Sequence, residues 1–199
     1  FEMVAEVTTP AEPAPPRPPE LRQIVRYAAS PDGTGIAWST VGEGPPVLHA
    51  WHHLSHLEQD WASGLLRPGL TALAQGHRLI RYDIRGSGLS EPVRPEDGID
   101  AHVADMLAVA DAAGLERFPI VATLQNAAVA IRLAARHPER VSCLVLHNGY
   151  ARGRAIREGA APQAEHDPFI ALLNSGGWGD PENGFMRAWA TMVLPMASA

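Results

Sequence analysis

Four histidines fall within eight residues: His49, His52, His53 and His56. Imidazoles ligate metals, move protons near neutral pH and line polar pockets. The spacing H-H-x-x-H at a helix start could set two rings one turn apart for a metal. Only Glu58 and Asp60 stand nearby to complete a shell, so the preferred reading is a pocket wall or a pH-sensitive group, with no metal. Asp83 and Arg85 could act as a catalytic acid and an anion clamp. The stronger expectation is structural, with both tying backbone groups while Gly86 and Gly88 allow tight turns. Cys143 lies mid-strand and is expected to be a buried, small apolar residue, not a nucleophile. Thr123 and Ser142 carry hydroxyls but have no base in view. His147 ends a strand at a carboxyl edge, where ligands bind in open α/β sheets. Trp51, Trp61, Trp178 and Trp189 could line an aromatic pocket or pack a core.

Strands and helices must position these groups. Pro119–Thr123 is an apolar strand bounded by proline, followed by a sharp turn. An amphipathic helix then runs from about Ala127 to His137, rich in Ala, Leu and Arg. Earlier, Gln23–Ala29 and Ile36–Val41 read as strands joined by hairpin-turn residues, Ser30 to Gly35. Val47–Ala50 is a third short strand. Leu54–Gln75 is mainly helical, with a break around Arg67–Gly69. His77–Tyr82 is a strand, Asp83–Ser90 a glycine-punctuated loop, and Ile99–Ala113 a helix closed by Gly114. After Val141, Ser142–His147 is another buried strand. An antiparallel start followed by strand–helix alternation implies an α/β fold, a mostly parallel sheet with helices on both faces. Residues 148–199 change character and read as a cap or lid segment. At the other end, residues 1–7 alternate like an edge strand and residues 8–20 form a proline-rich, extended spacer.

The 199 residues are 46% hydrophobic and 19% charged, as in a globular domain, and the net charge of −6 argues against a general nucleic-acid-binding surface. One cysteine excludes an internal disulfide and fits a reducing compartment, so a cytoplasmic place is expected. No apolar run approaches the roughly 20 residues of a membrane span, and no membrane partner is expected. No signal peptide is visible at the start. No cofactor is expected either.

Several motifs resemble those of the α/β-hydrolase fold. Tyr82-Asp83-Ile84-Arg85-Gly86-Ser87-Gly88-Leu89-Ser90 is similar to its D-x-R-G-x-G-x-S loop. Gly42-Glu43-Gly44-Pro45-Pro46 and His137-Pro138-Glu139-Arg140-Val141 match the same fold. Ser55-His56-Leu57-Glu58, Gly149-Tyr150-Ala151-Arg152-Gly153-Arg154 and Gly177-Trp178-Gly179 resemble a bacterial subgroup often fused to winged-helix or nucleotide-cyclase signalling modules. Residues 1–7 resemble the end of such a winged-helix domain, with residues 8–20 as its linker. The resemblance implies the N-terminal part of a hydrolase-like core over residues 21–147 and part of a cap over 148–199. The chain then looks truncated before the last strands.

The resemblance also places a nucleophile elbow, G-x-S-x-G in the family, on Ala122-Thr123-Leu124-Gln125-Asn126. Leu124 stands at the serine position and has no proton or lone pair to offer. A leucine held in the strained elbow conformation costs ~1–3 kcal/mol, so the turn is expected to relax. Asn126 tolerates left-handed backbone and would help it survive. Gln125 falls where the family often offers a backbone N–H to an oxyanion.

Two functional readings follow. The first is a non-catalytic, ligand-sensing domain of a bacterial transcription regulator, binding a small, largely apolar molecule under the cap. Trp51, His52 and His53 would be its walls, Leu124 its floor, with the Gln125 amide and His147 completing the ligand set. DNA would be a partner only through the preceding winged-helix domain. The alternative is a serine-type, esterase-like hydrolase with its nucleophile replaced and the rest of its triad on a missing segment. An exposed sheet edge invites a homodimer or a complementing chain.

Overall fold

The computed structural model describes residues 21–52, 54–94, 97–153, 182–185 and 187–188. Readings that fall on residues 1–20, on His53, and on most of the cap, including Trp178 and Trp189, lie outside the described residues.

Six strands form one sheet in the order β1-β2-β4-β3-β5-β6. Strands β1 (Ile24–Ala29) and β2 (Gly35–Val41) make an antiparallel hairpin. Gly33 turns it at φ 87°, and the Asp32 carboxylate accepts the Thr34 N–H at 2.9 Å. Strand β2 runs antiparallel to β4 (Arg78–Tyr82). Strands β3 (Pro46–Ala50), β5 (Phe118–Thr123) and β6 (Val141–His147) then continue the sheet in parallel with β4. A register shift falls between Phe118 and Pro119, where proline has no N–H to donate to the ladder. The fold is therefore the expected α/β arrangement.

Strand alternation divides the core into two layers. Leu48, Ile80, Ile120 and Ala122 pack with Val103, Met106 and Val109 of α3 (Ile99–Ala112) and Val129 and Leu133 of α4 (Asn126–Arg136). Their neighbours Val47, Leu79 and Val121 face the opposite way, onto Leu70 of α2 (Arg67–Ala74) and Trp61 of α1 (Leu57–Ala62). The helical break sits at Ser63–Leu66, ahead of its expected place. Pro68 begins α2 instead of interrupting it, because the first helical turn needs no proline N–H.

Arg85 fastens the loop after β4. It is fully buried and forks onto Asp105 of α3 at 2.6 and 2.7 Å, with Asp32 at 2.9 Å and Asp97 at 2.7 Å. Three separate segments thus converge on one guanidinium. Among the described residues no helix is long and apolar enough to cross a membrane.

Cys143 is exposed, contrary to expectation. Most of β6 is likewise open, with Val145 51% and Leu146 43% exposed. The apolar run was read correctly as a strand. Its burial requires a covering element, and none of the described elements covers the face that carries Cys143 and Val145.

Candidate functional site

The sheet order locates the site before any side chain is considered. From β3 the chain crosses to β4 on one side, and from β4 it returns past β3 to β5. Open parallel sheets bind ligands at the carboxyl ends of strands flanking such a reversal. Here those ends are Trp51–His52 after β3 and Leu124–Gln125 after β5. A groove of about 870 Å³ lies elsewhere: Gly42, Glu43 and Gly76 on its wall precede β3 and β4, at the amino end. The topology gives the smaller carboxyl end precedence.

Leu124 is the sharpest feature of that end. Its φ is +53°, in the left-handed region that costs an L-residue about 1–2 kcal/mol. Its N–H donates to the His147 carbonyl at 3.1 Å, and its own carbonyl accepts the Ala127 N–H at 3.2 Å. The turn is therefore bonded on both sides, to the end of β6 and into the first turn of α4. Its side chain is 38% exposed at the sheet's edge. The expectation of a relaxed turn is overturned, because the flanking strand and helix over-determine the backbone. Asn126 helps by a different route from the one anticipated. It is the first residue of α4, is buried, and its side-chain amide donates to the Trp51 carbonyl. That bond staples the end of β3 to the turn. Gln125 follows in helical conformation, φ −66° and ψ −28°.

Three rings at the end of β3 and just after it lie close together at tilted angles. The His49 and Trp51 rings are 5.0 Å apart, and the Trp51 and His52 rings 4.9 Å. His52 Nδ1 accepts the Leu54 N–H at 3.1 Å, which fixes its ring. His49 is 3% exposed, and burial, assisted by the Arg81 charge, depresses its pKa to about 3. It is a neutral imidazole at physiological pH. His56 is spent on capping α1, accepting the Gln59 N–H. His49, Trp51, Thr123 and His147 share one cavity wall, so the structure brings Trp51 and His147 together, with His52 and Leu124 alongside. Among the described residues, no three His, Cys, Asp or Glu side chains are grouped as metal ligands.

Asp83 and Arg85 have structural partners. The Asp83 carboxylate accepts the N–H groups of Leu57 (3.1 Å) and Leu89 (3.0 Å), while Ser90 Oγ donates to its carbonyl at 2.6 Å. Sequence reasoning missed Arg81, which is 2% exposed and bonded to Asp60 of α1. Burial lowers the Arg81 pKa and raises that of Asp60. The signal was present, since Arg81 alternates in phase with inward-facing Leu79.

The geometry now meets its relatives. The family model described as alpha/beta hydrolase fold matches residues 47–183, and the chain belongs to that family. The chain is similar to "Putative carbamate hydrolase RutD" of Azorhizobium caulinodans, 37% identical over 111 residues, 56% of this chain and 40% of that protein. A protein of the same name from Escherichia coli O1:K1 is 33% identical over 55% of this chain and 40% of its own length. The chain thus spans about 40% of the length of these curated relatives. Among solved structures, a hydrolase from Pseudomonas aeruginosa superposes with a TM-score of 0.65 at 25% identity, covering 87% of this chain and 62% of that one. An epoxide hydrolase from an endophytic Streptomyces gives 0.54 at 30% identity, covering 62% and 36%. The expectation of a ligand-sensing domain in a transcription regulator is corrected by these relatives, which are named as hydrolases. That expectation gave a missing hydroxyl more weight than the fold retained around it.

Proposed function

We propose that this chain is the nucleophile-bearing part of a serine-type, esterase-like α/β hydrolase, with Leu124 in place of the attacking residue. The observation that carries the reading is the backbone of Leu124. An exposed leucine gains nothing from a left-handed conformation at the carboxyl end of a central strand. A nucleophile gains exposure and an approach to a carbonyl carbon. The remaining triad members belong, on this reading, to segments outside the described residues.

The parts around residue 124 fit acyl transfer. Gln125, at the start of α4, would present its backbone N–H to an oxyanion, near the positive end of that helix. The second donor would come from the Trp51–His52 segment, whose position the Asn126 bond to Trp51 fixes. Leu124 itself closes the covalent route, because it can neither be deprotonated nor form an acyl intermediate. Esters and carbamates are the substrate class proposed, the latter because relatives are named for it. A cytoplasmic place is proposed on the single cysteine.

Hydrolysis of p-nitrophenyl butyrate and of a phenyl carbamate by Leu124→Ser, in the full-length polypeptide, tests this. The variant is expected to exceed the Leu124 protein by at least about a hundredfold in kcat/KM, since an activated nucleophile is worth more than that. A folded variant with no gain on either substrate would overturn the reading.

A further inference from the structure

Behind the turn, on the face covered by α1 and α2, the cavity walled by His49, Trp51, Thr123 and His147 has a volume of about 280 Å³. Its polar floor is unusual. Among the described residues, Arg81 is bonded to Asp60 through Nη2 alone, and its Nε and Nη1 have no partner although the side chain is 2% exposed. Thr123 Oγ1, Trp51 Nε1 and His49 Nδ1 are likewise buried and unpartnered. Buried polar groups are nearly always bonded, so four unpartnered side chains on one cavity wall mark a place for a ligand. The opposite wall is apolar, built from Leu66, Leu70 and Leu73 of α2 and its start.

We propose that this cavity binds a small uncharged carbonyl compound, an aliphatic amide or similar, with its oxygen on the Arg81 and Trp51 N–H groups. Its alkyl chain would lie against α2. The unpartnered atoms of Arg81 and Trp51 are donors and Thr123 can donate as well, so the ligand must supply acceptors. Charge selects among acceptors. Asp60 is bonded to the same guanidinium and Asp83 acts on it electrostatically, while His49 is neutral. The site has no net positive charge for a carboxylate, and an anion would be desolvated without compensation. The volume exceeds that of a single water, about 30 Å³, several times over. Its lining includes Trp51 and His147 of the candidate site but not Leu124 or Gln125, so it adjoins the proposed hydrolytic centre.

The test is an NMR titration of the full-length polypeptide with butyramide and, separately, butyrate at millimolar concentrations. Butyramide is expected to shift the Trp51 indole N–H and the Thr123 amide, with butyrate at least about tenfold weaker, the margin that one uncompensated charge contact exceeds. Thr123→Val should weaken butyramide about fivefold, as one lost hydrogen bond does. Leu73→Trp should fill the space and abolish binding, with spectral dispersion confirming that both variants fold. No shift would mean a cavity holding only water, and would overturn the proposal. Equal binding of butyrate, or binding unchanged in both variants, would overturn it too. None of these readouts depends on residue 124, so this proposal and the hydrolase reading can fail separately.

Discussion

Two tight turns sit at the carboxyl edge of this sheet, and they are built differently. The loop after β4 reaches left-handed backbone only at Gly86 and Gly88, and its acidic and basic side chains, Asp83 and Arg85, bond neighbouring segments. The turn after β5 reaches the same region with a leucine, exposed and with no polar group of its own. Glycine takes that conformation without a Cβ penalty, whereas leucine does not. The first turn is organised for stability. The second holds strain that stability alone does not require, which supports the proposal that residue 124 stands at a functional position.

That contrast can be broken at several points. The largest effect should come from Arg85→Met, which leaves the buried carboxylates of Asp97 and Asp105 without their cation and should cost about 3–5 kcal/mol in urea unfolding. A loss under about 1 kcal/mol would show that the cluster does not clamp the loop. Gly88→Ala should cost about 2 kcal/mol or more, because its Cβ would collide with the Asp83 carboxylate at a φ of +54°. An unchanged melting midpoint would contradict the packing described.

His49, near the end of β3, should make stability fall with acid. Its native pKa of about 3 lies below its ordinary value, so below that ordinary value the unfolded chain binds a proton that the native chain refuses. The contribution is complete above about pH 6.5 and is lost progressively as pH falls towards 3, amounting to about 2 kcal/mol by pH 5. His49→Leu should flatten the profile by that amount relative to the parent, and equal slopes would contradict a buried neutral imidazole. The smallest effect belongs to the strained turn. Leu124→Asn should raise stability by about 1 kcal/mol, since Asn enters left-handed backbone more readily. A destabilised variant would mean that the leucine side chain holds the turn through contacts.

Much of the fold was legible because strand period and glycine placement are local signals. Val47/Leu79/Val121 against Leu48/Ile80/Ile120 can be read from alternation alone, as can Gly114 after α3. The place of the candidate site was legible, though its function is still a proposal. Its position at Leu124 came from a motif, and Trp51, His52 and His147 do gather near it. The retained turn at Leu124 was not foreseen, because local preference argues against it and the opposing restraint comes from His147, 23 residues onward in sequence. The Arg81–Asp60 pair was also missed, since pairing two charges across 21 positions is a tertiary fact. Cys143 failed for the converse reason, as an apolar strand reports what it needs to bury and not whether anything covers it.

The central claim is that residue 124 occupies a nucleophile's position. Intact-mass analysis after a fluorophosphonate probe, on Leu124→Ser and on the parent full-length polypeptide side by side, tests it most directly. One stoichiometric adduct on the folded variant, mapped to position 124, with none on the parent, is the predicted result. A folded variant that takes no adduct would contradict the claim, as would an adduct on the parent, which would place the nucleophile elsewhere.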